Sequence, residues 1–276
     1  MGLNEFLKSA FALTIGLLMS PFMVLHMIYM FVQSRGKVSW KKYDMPDCLR
    51  DPAYGTHHFV HLEDVRLHYV AAGDEDKPLM LLVHGLPEFW FSWRYQIKEF
   101  KKYYRVVAID QRGYSESGAP SGVSSYNLRE LAKDIKQLVP ALGYKSCVLV
   151  GHDWGGAVAW TVAGLHPEVV DKLIIMNCPP PQAYVRYLVT HLSQIAMCWF
   201  QFFFTVPVLP ELYCCFKDRW FWKTVSPANH LAFAVRRYRR KNWKLTSLPS
   251  QHSAASLAPS TTSGQCHAPH SHLRRR

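Results

Sequence analysis

Residues 146–160 read SCVLVGHDWGGAVAW, a run of small apolar residues, a glycine-containing turn and a second apolar run. The first run predicts a buried strand and the second a helix, so the turn GHDWGG joins a strand to a helix. Such a turn holds its central residue in a strained conformation and exposes that side chain above the sheet. The central residue is Asp153, and Gly151 and Gly155 flank it because larger side chains would clash there.

Strands and helices alternate around this turn. The predicted strands are a hairpin over residues 57–73, turning near Glu63–Asp64, and single strands over residues 77–85, 104–110, 146–151 and 172–177. Helices are predicted between them, so the fold class is α/β, with a mostly parallel sheet and helices on both faces. Ligands bind such sheets beyond the carboxyl ends of the strands. Three motifs fall at those ends, over residues 84–87, 110–117 and 151–156.

An aspartate at the turn favours a different reaction from the serine that commonly occupies it. A carboxylate displaces a leaving group from saturated carbon and forms an alkyl-enzyme ester, as with epoxides or alkyl halides. Water then attacks the ester carbonyl, and the resulting oxyanion needs backbone N–H donors. Trp154, directly after the aspartate, and Leu86, directly after an HG dipeptide, are expected to supply them. The alternative is that Asp153 only caps the following helix.

Three motifs together carry a family resemblance. HGLPEFWFSWRYQ (84–96), AIDQRGYSESGAP (108–120) and LVGHDWGGAVAW (149–160) resemble the epoxide hydrolases of the α/β-hydrolase superfamily, nearest to their membrane-anchored animal branch. The resemblance covers about residues 35–212. It implies that small apolar or lipid epoxides are opened to vicinal diols without a metal or an organic cofactor.

The resemblance also implies roles for single residues. Asp153 would be the nucleophile, and Leu86 and Trp154 would be the oxyanion donors. Trp90 and Trp93 are expected to pack in the core. The residues expected to support the loop and the turn are His84, Gly85, Pro87, Gly151, His152 and Gly155.

Two other functions remain open. A haloalkane dehalogenase also uses an aspartate followed by tryptophan, but those enzymes usually carry asparagine after HG to hold the halide, and this chain has Leu86. The second is a catalytically inactive isoform or an interaction partner of a complete enzyme. A histidine able to reach Asp153 would separate an enzyme from the inactive form.

The family pattern weakens toward the carboxyl end. In the family a lid with proton-donating tyrosines follows the sixth strand, and the triad acid and histidine follow the seventh and eighth strands. Residues 179–212 fit the start of that lid, with Tyr184 and Tyr187 as candidate donors. No later segment matches the last strands, the acid or the histidine, which indicates an incomplete lid and a truncated or alternatively spliced carboxyl end. The remaining histidines, His252, His267, His270 and His272, lie in a tail rich in Ser, Ala and Pro.

The amino end predicts a membrane anchor. Residues 9–32 contain no Lys, Arg, Asp or Glu and are long enough for a bilayer core of about 30 Å. A signal peptide and a buried core helix are the alternatives. Lys8 precedes the run, whereas Arg35, Lys37, Lys41 and Lys42 follow it. The positive-inside rule therefore predicts a single-pass protein, at the endoplasmic reticulum, with a cytosolic domain.

The predicted organisation has four parts: an anchor over 1–34, an α/β-hydrolase core over 35–178, a partial lid and divergent segment over 179–245, and a disordered tail over 246–276. The formal net charge is +12, but much of the excess follows Asp218, so no nucleic-acid partner is expected. The seven cysteines are odd in number and lack paired spacing, which predicts neither a disulfide framework nor a zinc site.

Overall fold

The computed structural model describes residues 3–33, 47–210 and 212. The linker at 34–46, most of the divergent segment and the whole predicted tail therefore lie outside the described residues. Cys48 is disulfide-bonded, which the spacing of the cysteines did not predict. Cys147, Cys178 and Cys198 are free thiols.

Six strands form one sheet in the order β1-β2-β4-β3-β5-β6. They are β1 (Thr56–His61), β2 (Arg66–Ala72), β3 (Leu79–Val83), β4 (Arg105–Asp110), β5 (Cys147–His152) and β6 (Val170–Met176). The first two form the predicted hairpin, and β2 is antiparallel to β4. The pairings of β3 with β4, β3 with β5 and β5 with β6 are parallel, so the prediction of a mostly parallel sheet is confirmed.

Seven helices belong to the described residues. They are α1 (Leu3–Gln33), α2 (Arg94–Phe100), α3 (Leu128–Ala141), α4 (Trp154–Leu165), α5 (Pro181–Thr190), α6 (Leu192–Met197) and α7 (Trp199–Phe203). α3 begins after Asn127, whose side chain accepts hydrogen bonds from two N–H groups of the first turn. Gly143 has φ +86°, the left-handed conformation that ends many helices at glycine.

Each face of the sheet carries its own apolar core, because successive side chains of a strand point to opposite sides. Along β3, Leu81 and Val83 face α3 and α4, whereas Met80 and Leu82 face α2 and the aromatic turn that precedes it. That turn is a 3-10 helix over Trp90–Trp93, so α2 begins at Arg94. Trp90 and Trp93 are buried in the second core, as predicted.

The sheet ends at β6 within the described part of the chain. β6 pairs with β5 on one side, and its Ile174 is 45% exposed. An apolar strand at a sheet edge can pair with another chain. After β6 the chain enters α5, α6 and α7, which correspond to the predicted start of the lid.

The long amino-terminal helix α1 is apolar over most of its length. Its window at residues 10–33 has a mean hydropathy of 1.9, and 17% of that window is buried against the rest of the molecule. A helix of this length and composition can cross a bilayer, although buried helices and signal sequences share these properties.

Candidate active site

Asp153 occupies the turn between β5 and α4, as predicted. Its backbone has φ +52° and ψ −122°, a conformation that is unusual for any residue other than glycine. Backbone strain of this kind costs on the order of 1–3 kcal/mol and persists where the surrounding structure enforces it. The side chain makes no capping hydrogen bond to α4. The carboxylate is therefore held above the sheet by other contacts.

A backbone N–H group of the loop holds this carboxylate. The Leu86 N–H donates to Asp153 Oδ1 at 3.0 Å. Burial raises the pKa of Asp153, and the backbone N–H groups of Leu86 and Trp154 offset part of that rise because they favour the charged form. Of the two expected oxyanion donors, Leu86 thus bonds the Asp153 carboxylate, and the oxyanion role of both residues stays a prediction.

The flanking glycines permit backbone contacts that a side chain would prevent. A Cβ atom at Gly85 would lie 2.6 Å from the Asp153 Cβ atom, and one at Gly155 would lie 2.2 Å from the Val83 carbonyl oxygen. A Cβ at Gly151 would lie 2.5 Å from the Gly155 carbonyl oxygen. The loop, the turn and the end of β3 are therefore in contact through their backbones.

Glu88 joins the loop to the turn. Its Oε2 accepts a hydrogen bond from the Gly85 N–H at 2.8 Å and contacts His152 Nδ1 at 2.9 Å. Burial raises the pKa of Glu88, but the hydrogen bonds from His152 and Gly85 outweigh burial and leave the pKa lowered. The hydrogen bond to Glu88 raises the pKa of His152. We call these contacts the Glu88 bridge; the sequence contained Glu88 within the HGLPE motif but did not assign it a role.

His84 is fully buried behind the loop. Its Nδ1 donates to the Gly85 carbonyl at 2.8 Å, because Nε2 must accept from the Gln111 N–H at 3.2 Å. Burial lowers the pKa of His84 and keeps the ring neutral. In the same loop, the peptide bond between Leu86 and Pro87 is cis. The expected role of His84 and Pro87 in shaping the loop stays a prediction.

One tyrosine lies beside His84, and the two candidate proton donors lie in α5. Tyr114, which the sequence did not single out, is buried with its ring edge-on to His84 at 4.7 Å, and burial together with the Asp153 charge raises its pKa. The two predicted lid donors make contacts within the lid. Tyr184 donates to Gln201 at 2.8 Å, and Tyr187 stacks on His191 at 3.8 Å.

A second buried polar cluster supports the end of β4. Asp110 accepts from the Trp90 N–H at 2.9 Å and contacts His68 Nδ1 at 2.7 Å. His68 Nε2 contacts His57 Nδ1 at 2.9 Å, which ties β1, β2 and β4 together beneath the loop. Spacing along the chain could not reveal this cluster, because its members come from separate strands.

Residues 213–276, in which the sequence showed no match to the expected triad acid and histidine, lie outside the described residues. The predicted absence of both residues therefore remains a prediction. Among residues 3–33 and 47–210, no group of three or more His, Cys, Asp or Glu side chains could hold a metal ion.

Comparison with known proteins identifies the same core. The sequence model described as "alpha/beta hydrolase fold" matches residues 78–192. Over 175 residues the chain is 51% identical to epoxide hydrolase 4 of Mus musculus, covering 63% of this chain and 49% of that protein. It is 47% identical to epoxide hydrolase 3 of Xenopus tropicalis, with 63% and 48% covered. The chain thus spans about half the length of the curated relatives it matches.

Solved structures show the same similarity. One is a mutant of an epoxide hydrolase from Bacillus megaterium in complex with its product, (R)-3-[1]naphthyloxy-propane-1,2-diol. It matches with a TM-score of 0.55 and 38% identity, covering 61% of this chain and 58% of that chain. The similarity therefore extends from single motifs to the arrangement of the sheet and its helices.

Proposed function

From the premise that this chain has the α/β-hydrolase fold and is related to the epoxide hydrolases, we propose that it opens an epoxide through an ester on Asp153. One observation carries the proposal. Asp153 stands at a strained turn with Oδ1 held 3.0 Å from the Leu86 N–H, which leaves Oδ2 to attack. The substrate class is a small apolar or lipid epoxide.

The first step forms the ester. Asp153 Oδ2 attacks an epoxide carbon, the carbon–oxygen bond of the ring breaks, and its electron pair remains on the ring oxygen. That oxygen takes a proton from an acid, for which Tyr184 and Tyr187 are the candidates. Both tyrosines would have to turn from their present partners toward the substrate.

The second step releases the diol. Water attacks the ester carbonyl carbon of Asp153, and the Leu86 and Trp154 N–H groups stabilise the oxyanion. Collapse of this intermediate breaks the bond to the product oxygen and restores the carboxylate. The step needs a base to take the proton from water, and histidine is the usual choice because its pKa is near neutrality.

The described histidines beside Asp153 are poorly suited to act as that base. The Glu88 bridge raises the pKa of His152 and favours its protonated form. His84 is buried, and both of its ring nitrogens are hydrogen-bonded. We therefore propose that this chain completes the first half-reaction and accumulates the ester, since general base catalysis typically contributes about 10²–10⁴-fold.

Covalent labelling tests the proposal. A reactive epoxide should modify the chain once, at Asp153, and mass spectrometry of the peptide over 151–160 should detect a persistent adduct. Asp153→Asn should abolish the label, whereas Asp76→Asn, at an exposed position, should retain it. Multiple turnover to diol that depends on Asp153 would show that a base is present. A chain that folds and takes up no label would support the inactive alternative.

A halide assay separates the dehalogenase alternative. The side chain of Leu86 has no hydrogen-bond donor to hold a departing halide, so bromoalkanes should release no bromide above background. Release of bromide that is lost in Asp153→Asn would favour the dehalogenase.

We also propose that α1 anchors the protein in the endoplasmic reticulum membrane with the domain in the cytosol. The length and hydropathy of residues 10–33 support the anchor, and the basic residues after it support the orientation. Protection of the domain from protease in sealed microsomes tests this orientation.

A further inference from the structure

One narrow face of α1 is buried within the molecule. Gly16, Met23 and Met27 are buried and recur at seven- and four-residue spacings, which place them on the same side of a helix. The neighbouring Phe22 and Leu25 are 72% and 64% exposed. The apolar helix therefore presents one face to the domain and the others to its surroundings.

The buried face lies directly against α7. A Cβ atom at Gly16 would lie 2.3 Å from the Phe202 carbonyl oxygen, so the two helix backbones are in contact there. The rings of Phe11 and Phe202 meet edge-to-face with centroids 6.4 Å apart. Glycine at a helix contact allows close approach, which maximises van der Waals packing between two apolar helices.

Leu86 lies between the cluster at the α1–α7 contact and the candidate active site. Met23, Met27, Phe203 and Phe204 form a buried cluster, and the Leu86 side chain packs against it. The N–H of the same residue donates to Asp153 Oδ1 at 3.0 Å. Leu86 therefore contacts this cluster with its side chain and Asp153 with its backbone.

Contacts with the rest of the molecule restrain the loop over residues 85–88. Gly85, directly before Leu86, is the residue with the greatest backbone freedom. The Glu88 carboxylate accepts a hydrogen bond from the Gly85 N–H at 2.8 Å, and the Glu88 N–H donates to the Gly85 carbonyl at 3.2 Å. Leu86 itself is held by the hydrogen bond from its N–H to Asp153 and by the contact of its side chain with the buried cluster.

We infer that α1 is a positioning element of the candidate active site as well as an anchor. Met23 and Met27, together with α7, hold the Leu86 side chain and thereby keep the Leu86 N–H against Asp153. A helix that served only as a membrane anchor would need no contact with this loop. The inference deepens the proposed function and rests on it for its chemical consequence.

Hydrogen exchange tests the positioning directly. The full chain is purified in detergent micelles as wild type, as Met23→Ala/Met27→Ala and as the matched control Phe22→Ala/Leu25→Ala. The first variant removes buried side chains and the second removes exposed ones from the same helix. Amides over 85–88 should exchange at least about tenfold faster in the first variant, with β3 and β5 still protected, and should be unchanged in the control.

The pH dependence of epoxide labelling is a second measurement, and a general loosening of the fold would not shift its midpoint. The Leu86 N–H lowers the pKa of Asp153, so its displacement should shift the midpoint of labelling to higher pH. The labelling rate should also fall, by up to about 10²-fold, because the carboxylate is misplaced. Met23→Leu/Met27→Leu, which conserves volume, should restore both values.

The outcomes separate this inference from the proposed function. Equal exchange over 85–88 in the two alanine variants would overturn the positioning role, whatever the labelling result. A wild-type chain that never labels would overturn the proposed function, while the exchange comparison would still decide the role of α1. If Met23→Ala/Met27→Ala also loses protection in β3 and β5, its fold is disturbed as a whole, and Gly16→Ala is compared with wild type instead. That change meets the Phe202 backbone and leaves the cluster side chains intact, and normal exchange over 85–88 would then refute the role.

Discussion

At the scale of single residues, the Glu88 bridge favours the charged forms of Glu88 and His152, next to Asp153. A carboxylate and an imidazolium that are 25% and 28% exposed stabilise one another, and the pKa values of Glu88 and His152 move apart as a result. The bridge also orients the Gly85 N–H, one residue before the donor to Asp153. It therefore couples the protonation of two side chains to the geometry of the loop.

The bridge predicts a specific pH dependence of stability. The pKa of Glu88 is lowered in the fold, so its contribution is present above the ordinary value of 4.5 and is lost as pH falls through the lowered pKa. The pKa of His152 is raised, so its contribution is present below 6.5 and is lost as pH rises through the raised pKa. Both contributions are present between pH 4.5 and 6.5.

In that interval we expect Glu88→Gln to lower the free energy of unfolding by about 1 kcal/mol, and the difference from wild type should narrow at higher and lower pH. Urea unfolding across pH measures it. Glu99→Gln, in an exposed pair with Lys102, is the control and should change little. A Glu88→Gln curve parallel to the wild type at every pH would contradict the coupling.

At the scale of secondary-structure elements, the turn into α4 depends on contacts between backbones. β5 ends next to β3 in a parallel pairing, and α4 begins over the end of β3. The apolar runs predicted both elements correctly. The pattern also predicted that glycine was required near Asp153, but the atoms that glycine accommodates belong to Val83 and His84, far away in sequence.

Two glycines of α4 provide a matched pair of substitutions. Gly155→Ala would place a Cβ atom 2.2 Å from the Val83 carbonyl oxygen, so we expect a loss of about 1–3 kcal/mol or more in the free energy of unfolding. Gly164→Ala meets nothing within 4 Å, and we expect it to stabilise the helix by about 0.5–1 kcal/mol. Denaturant unfolding of both variants measures the difference. Similar stabilities for the two would mean that the turn is not packed as described.

At the scale of the whole molecule, the apolar helix α1 packs against α7, beside an α/β-hydrolase core. The helix is long enough to cross a bilayer, yet its Met23 and Met27 form a buried cluster with Phe203 and Phe204, against which Leu86 packs. Since α7 reads WFQFF and carries no charge, it can lie beside an apolar helix without burying an ion.

Protease protection measures the topology of this assembly. With a cytosolic domain, protease added to sealed microsomes should digest residues beyond the helix, and a carbonate wash should leave the chain in the membrane. Full protection until detergent is added would place the domain in the lumen, where the disulfide at Cys48 would be favoured. Release by carbonate would refute the anchor.

The sequence by itself determined the strands, the helices, the turn at Asp153 and the fold class, because those follow from local apolar patterns and turn residues. It also predicted Leu86 and Trp154 as oxyanion donors, since both flank recognisable motifs, and that role stays a prediction. Only the tertiary structure revealed the Glu88 bridge, the Asp110–His68–His57 cluster and the packing of Leu86 against the cluster that α1 shares with Phe203 and Phe204. Each joins residues from distant parts of the chain, and such pairings are decided by how the elements pack rather than by any periodicity along the sequence.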